Sequence, residues 1–202
     1  MTLDPFYPIV DRTAWLHRLL PVGIRLVQLR IKALEGEALR HELVRGRDLC
    51  REAGCQLIVN DHWREAIDLG CDFVHLGQED LAEADIPAIK RAGIRFGLST
   101  HDHEELDCAL AHAPDYVALG PIYPTILKAM RFAPQGLERI GEWKRLIGGT
   151  PLVAIGGFMV ERASGAFEAG ADSVSVVTDI TLHTDPEART RAWIEETAPF
   201  RR

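Results

Sequence analysis

Eight short apolar runs rich in β-branched residues recur along the chain, and they constrain its fold more than any other feature. They are Phe6–Val10 (FYPIV), Leu26–Arg30 (LVQLR), Gln56–Asn60 (QLIVN), Phe73–Gly77 (FVHLG), Arg95–Ser99 (RFGLS), Tyr116–Gly120 (YVALG), Leu152–Gly156 (LVAIG) and Ser173–Val177 (SVSVV). A nearly continuous apolar run of this length suits a strand covered on both faces, as in a parallel sheet. The segments between them carry helical spacing. In 37–53, Leu39, Leu43, Val44 and Leu49 fall roughly on one face, and 86–92, 103–111, 137–147 and 160–169 read similarly. Gly54, Gly70, Gly93, Gly148 and Gly170 stand where helices should end. Eight strand–helix units within 202 residues predict an α/β fold, a single-domain TIM (β/α)8 barrel spanning 1–202. The rival, an open doubly wound sheet, usually carries GxGxxG after its first strand, and that motif is absent.

Composition narrows the partners. Hydrophobic residues make up 47% of the chain and charged residues 26%, ordinary for a soluble globular protein. A formal charge of −7 argues against nucleic acid or an anionic membrane as partner. It leaves room for a small anionic substrate, because a few local cations can dominate one cleft. Cys50, Cys55, Cys71 and Cys108 form no CxxC and no zinc-binding spacing, so buried, reduced thiols in a cytoplasmic protein are expected. The first residues lack the pattern of a signal peptide, and no uncharged run approaches a membrane span. Symmetric assemblies are common among soluble enzymes, so a homo-oligomer is compatible with this sequence.

In a (β/α)8 barrel the residues just after each strand face the active site. Strand two ends in Gln28-Leu29-Arg30-Ile31-Lys32, and alternation puts Gln28, Arg30 and Lys32 on one side. Two cations and an amide on one face read as an anion-binding prong. Strand three ends in Asn60-Asp61, and strand four runs into His75-Leu76-Gly77-Gln78-Glu79-Asp80. Taken singly, either Asp61 or Asp80 suits a helix cap. Together at adjacent strand ends they suit a sparse oxygen site for Mg2+, completed by water and substrate phosphate. Strand five ends in Ser99-Thr100-His101-Asp102-His103. Here three readings stand: Ser99 binds substrate, Asp102 caps the next helix, or His101 and His103 bind metal. After strand six come Thr125 and Lys128 in a long loop, and strands seven and eight lead into Gly156-Gly157 and Val177-Thr178, where such barrels bind phosphate. A phosphate cradle, separate cations at Lys32 and Lys128, and a carboxylate pair imply two anionic groups, one monophosphate and one diphosphate. No nucleophile–base pair is evident, so the chemistry is expected to be electrostatic positioning and leaving-group stabilisation.

The ordered set QLRIK, VND, HLGQEDL, GLSTH, GPIYPT…K, AIGG and SVVT, from about Phe6 to Ile180, closely resembles the thiamine phosphate synthase family. Each piece alone is weak; the set in this order at strand ends is specific. The resemblance implies a Mg2+-assisted transferase that joins 4-amino-2-hydroxymethylpyrimidine diphosphate to 4-methyl-5-(2-phosphoethyl)thiazole, giving thiamine phosphate and pyrophosphate. It implies that Gln28, Leu29, Arg30, Ile31, Lys32, Asn60, Ser99 and Lys128 contact the pyrimidine diphosphate, with Lys32, Lys128 and Ser99 catalytic. It assigns Asp61 and Asp80 to the metal, and Thr125, Gly157, Val177 and Thr178 to the thiazole phosphate.

Two positions depart from the family pattern. Leu127 stands where a second threonine is usual in Pro-Thr-x-Thr-Lys, and Thr178 where serine is usual. The lost hydroxyl would weaken thiazole phosphate binding about ten-fold if it made a hydrogen bond. Two alternatives share the fold: a thiazole tautomerase, which has no reason to keep Lys32, Asp61, Asp80 and Lys128 together, and a non-catalytic sensor of a thiamine precursor.

Overall fold

The computed structural model describes residues 2–125 and 132–201. Eight parallel strands close into a barrel in sequence order: β1 (Phe6–Val10), β2 (Leu26–Leu29), β3 (Gln56–Asn60), β4 (Phe73–Leu76), β5 (Arg95–Thr100), β6 (Tyr116–Leu119), β7 (Leu152–Ile155) and β8 (Ser173–Val176). Closure comes from β1 lying parallel to β8, with Tyr7 opposite Ser175. Each strand falls within one residue of its expected bounds.

Alternation divides the side chains between two cores. One set, including Phe6, Val27, Leu29, Val59, Val74, Leu98, Val117 and Val174, packs outward against the helices. The other, including Tyr7, Ile9, Leu26, Ile58, Phe73, Tyr116, Ala118 and Val153, fills the barrel itself. Gly97 makes room for one of the largest of these: a Cβ at Gly97 would collide with the Tyr116 ring.

The helices are α1 (Thr13–Leu19), α2 (Gly36–Glu52), α3 (Trp63–Leu69), α4 (Gln78–Glu83), α5 (Ile86–Arg91), α6 (His103–Ala111), α7 (Gly136–Ile147), α8 (Ala163–Glu168), α9 (Thr178–Thr181) and α10 (Pro186–Thr197). The segment expected as one helix over 160–169 is instead a 3-10 turn, Val160–Arg162, followed by α8. All five glycines expected at helix ends have positive φ. Among the described residues, no helix is long and apolar enough to cross a membrane.

The two ends of the barrel differ. At the N-terminal end a cavity of about 320 Å3 is lined by Arg25, Arg47, Arg51, Cys50, Cys55 and Cys71, among others. Among the described residues, the polar side chains picked out from the sequence gather at the opposite, C-terminal end. Cys50, Cys55 and Cys71 are buried, whereas Cys108 is exposed on α6 and departs from the expected burial.

Candidate active site

Asp61 and Asp80 meet at the C-terminal rim. Asp61 follows β3 with φ of 61°, a left-handed conformation tolerated by Asp better than by most side chains. Its amide donates to the His75 carbonyl of β4 at 2.8 Å, which ties the two strand ends together. Asp80 lies in the first turn of α4, where its carboxyl accepts from the Gly77 amide. A Cβ on Gly77 would stand 3.0 Å from Asp80 Oδ2, so the turn is closely drawn around this carboxylate. Burial raises the Asp80 pKa first, and the neighbouring Asp61 charge raises it further.

Lys32 answers that charge. Its Nζ is ion-paired with Asp61, and it also favours the ionised form of Asp80. The Lys32 side chain remains 52% exposed, whereas that of Asp61 is 12% exposed. The lysine therefore reaches in from the solvent side and remains accessible to an arriving anion.

Alternation along strand two places Gln28 inside the barrel and Leu29 outside, within the helix-facing core. The Ile31 side chain joins that outer core, and its carbonyl meets His62 Nε2 at 2.9 Å. Leu29 and Ile31 thus offer only backbone toward the rim. Arg30 is half-buried and close enough to His75 to act on its charge.

Gln28 is 2% exposed and lies below the rim, where it begins a continuous polar chain. Gln28 Nε2 donates to Tyr7 Oη at 2.7 Å, and Tyr7 Oη meets Tyr116 Oη at 2.9 Å. Tyr116 Oη meets His75 Nδ1 at 2.7 Å, and His75 Nε2 meets Ser99 Oγ at 2.8 Å. Five strands contribute one residue each. Ser99 is the partly exposed end, and its carbonyl accepts from Gln78 Nε2 at 2.6 Å. Burial lowers the His75 pKa to about 4, against the usual 6.5; Arg30 adds to this and Asp61 opposes it. His75 is therefore neutral near pH 7, with one nitrogen donating and the other accepting. Burial likewise raises both tyrosine hydroxyls, which stay protonated. Asn60 is buried beside His75 in the β3–β4 register.

The loops after β6 and β7 are built as one unit. Ile122 N donates to the Ile155 carbonyl at 2.9 Å, and Tyr123 N to the Gly156 carbonyl at 3.0 Å. Gly157 has φ of 68°, and a Cβ there would strike the Pro124 carbonyl and Tyr123. Only glycine fits both the conformation and the contact. Thr125 closes the described part of this loop; Lys128 and Leu127 lie outside the described residues. After β8, Val177 is the N-cap of α9 and Thr178 its first residue. Asp179 fastens α9 to α10 by accepting from Arg189 Nε and Trp193 Nε1, each at 2.8 Å.

Of the readings at strand five, the capping one describes Asp102, whose carboxylate accepts from Glu105 N at 2.9 Å. His101 and His103 do not converge: His101 Nδ1 meets Glu105 at 2.6 Å and His103 Nε2 meets Glu142 at 2.7 Å. No group of three or more His, Cys, Asp or Glu side chains suited to a metal occurs among the described residues.

Tyr7, Tyr116 and the role of His75 are not apparent from motif positions. Their signal is weaker but present. Tyr7 and Tyr116 occupy inward phases of their strands, and Gly97 on β5 faces the Tyr116 ring.

Residues 6–180 match the family model described as thiamine monophosphate synthase. The chain belongs to the thiamine monophosphate synthase family. Among its relatives is a thiamine-phosphate synthase of Rhizobium etli, 62% identical, covering 100% of this chain and 98% of the relative. Another, from Neisseria meningitidis serogroup A, is 46% identical, covering 93% of this chain and 92% of the relative. The barrel also superimposes on thiamine phosphate pyrophosphorylase from Pyrococcus furiosus with a TM-score of 0.86, at 24% identity, covering 98% of this chain and 96% of that one. At that identity the likeness speaks for the fold. The same holds for 3-hexulose-6-phosphate synthase from Salmonella typhimurium, with a TM-score of 0.75 at 12% identity, covering 97% of this chain and 99% of that one. In this family member, the carboxylate pair, Lys32 and Ser99 stand at the end of the barrel where the fold holds its chemistry.

Proposed function

We propose that this chain is a thiamine-phosphate synthase transferase, which joins 4-amino-2-hydroxymethylpyrimidine diphosphate to 4-methyl-5-(2-phosphoethyl)thiazole and releases pyrophosphate. The observation that carries this reading is the meeting of Asp61, Asp80 and Lys32 at one rim in a member of this family. A tautomerase acting on the thiazole alone would have no use for that set.

Two carboxylates forced together, one with a raised pKa, fit a hard divalent cation. Asp61 and Asp80 would hold Mg2+, which would supply positive charge to the departing diphosphate. Lys32 and Arg30 bind and orient the diphosphate from the strand-two side, with Lys128 as a further cation. Asn60 and Ser99 contact the pyrimidine diphosphate from strands three and five, and Gln28 contributes from below through the polar chain it begins. Leu29 and Ile31 have only their backbone to offer this ligand. Thr125, Gly157, Val177 and Thr178 take the thiazole phosphate. This last assignment is supported by the fused β6–β7 loops and by the short extra helix after β8, a recurrent phosphate-binding arrangement in these barrels. No side chain is asked to form a covalent intermediate. The barrier is lowered by positioning and by charge at the leaving group. The setting is expected to be cytoplasmic.

The test is a coupled assay of pyrophosphate release from the pyrimidine diphosphate, with and without thiazole phosphate and Mg2+. Release that needs all three bears the reading out. Release with neither thiazole phosphate nor Mg2+, or none under any condition, contradicts it.

A further inference from the structure

Among the described residues the polar chain Gln28–Tyr7–Tyr116–His75–Ser99 crosses the barrel without a branch, so its donors and acceptors can be counted end to end. Gln28 Nε2 can only donate, so Tyr7 Oη accepts from it. Tyr7 then spends its single hydroxyl hydrogen on Tyr116 Oη. Tyr116 in turn gives its hydrogen to His75 Nδ1. A neutral imidazole accepting at Nδ1 carries its hydrogen on Nε2, and Nε2 donates to Ser99 Oγ. Ser99 receives a hydrogen bond from below and is left with its own hydroxyl hydrogen to direct elsewhere.

Reversing the Gln28 amide reverses every link. Its Oε1 would accept from Tyr7, Tyr116 would donate to Tyr7, and His75 Nδ1–H would donate to Tyr116. Nε2 would then take the Ser99 hydrogen, and Ser99 would present only lone pairs at the rim. An anionic oxygen can only accept, so that arrangement would repel it. The anion acceptor at the top therefore selects the first direction, which is the one that Gln28 Nε2 facing Tyr7 Oη also gives.

We propose that this directed chain fixes Ser99 as a hydrogen-bond donor to an anionic oxygen of the bound diphosphate, with His75, Tyr116, Tyr7 and Gln28 as the residues that position it. The proposal rests on the function proposed above, since it takes the anion to be the substrate diphosphate. Ser99 is the group that touches substrate; the other four act through it. Because the donor is set before the substrate arrives, little reorganisation is needed as negative charge grows on the leaving group.

Two measurements test this independently. The first is the 15N spectrum of histidine-labelled protein, with the His75 resonances assigned by loss in His75→Gln. The expected result is an Nε2-protonated, Nδ1-unprotonated His75 in the wild type. An Nδ1-protonated His75 would overturn the proposal. This readout does not require turnover, so it stands even if the proposed reaction is wrong.

The second is a double-mutant cycle of Ser99→Ala and Tyr116→Phe with saturating thiazole phosphate. Tyr116→Phe keeps the ring and removes only the hydroxyl. Alone it should lower kcat about ten-fold, and Ser99→Ala on the order of 10²-fold. Neither should change the KM for thiazole phosphate. In the Ser99→Ala background, Tyr116→Phe should cost nothing further. Additive losses, or a raised KM for thiazole phosphate in Tyr116→Phe, would show that Tyr116 only supports the barrel and would overturn the proposal.

Discussion

Asp80 is held next to Asp61 although burial raises the cost of ionising it and the Asp61 charge raises that cost further. Such an arrangement is retained for what it binds, and stability is given up for it. Asp80→Asn removes one of the two like charges and keeps the shape. It should raise the melting temperature of the metal-free protein and abolish the further rise that Mg2+ gives the wild type, both measurable by thermal unfolding with and without Mg2+. A variant that melts lower than wild type without metal would show that the two carboxylates do not repel. His75 presents the opposite case, a base held neutral by burial. Its folded pKa lies below the usual value, so the stability it contributes is present above pH 6.5 and is lost as pH falls through about 4. The loss should reach on the order of 2 kcal/mol by about pH 5, read by urea unfolding. His75→Gln should show a distinctly smaller loss over the same interval. An equal loss would place the sensitivity in other groups.

At the scale of elements, the strands were the legible part. Their side chains are apolar on both faces because one face meets the barrel interior and the other the helices, and that leaves a run no surface segment would show. The helices were less legible. α3, α4 and α9 have seven residues or fewer, too few turns to display a periodic face. α10 is long enough, but its buried face is Pro186, Thr190, Trp193 and Thr197. The two threonines read as polar in the sequence, while in the structure their hydroxyls bond back to the Pro186 and Trp193 carbonyls, each at 2.7 Å. The interplay of β5 and β6 was hidden for a different reason. Gly97 looks like a weak point in a strand, and only the Tyr116 ring beside it explains the choice. Gly97→Ala should therefore cost about 2 kcal/mol by overpacking the barrel. It should also lower kcat by pushing Tyr116 away from His75. Normal stability and turnover in Gly97→Ala would mean that the interior accommodates the added methyl.

For the whole molecule, position at strand ends together with residue type was enough to locate the rim cluster, because parallel (β/α)8 closure brings those ends to one face whatever their separation in sequence. It was not enough to say which way each side chain turns. Leu29 and Ile31 belong to the recognisable run after strand two, yet they serve the outer core. Gln28 belongs to the same run and serves the buried chain. These distinctions depend on the phase of the strand against its neighbours. The central claim is that Asp61 and Asp80 act as one cation site beside Lys32. Its most direct measurement is Mg2+-dependent pyrophosphate release by Asp61→Ala, compared with thiazole phosphate binding to the same variant by calorimetry. The account predicts that release is lost at every Mg2+ concentration while thiazole phosphate still binds with near wild-type affinity. Full Mg2+-dependent activity in Asp61→Ala would contradict it.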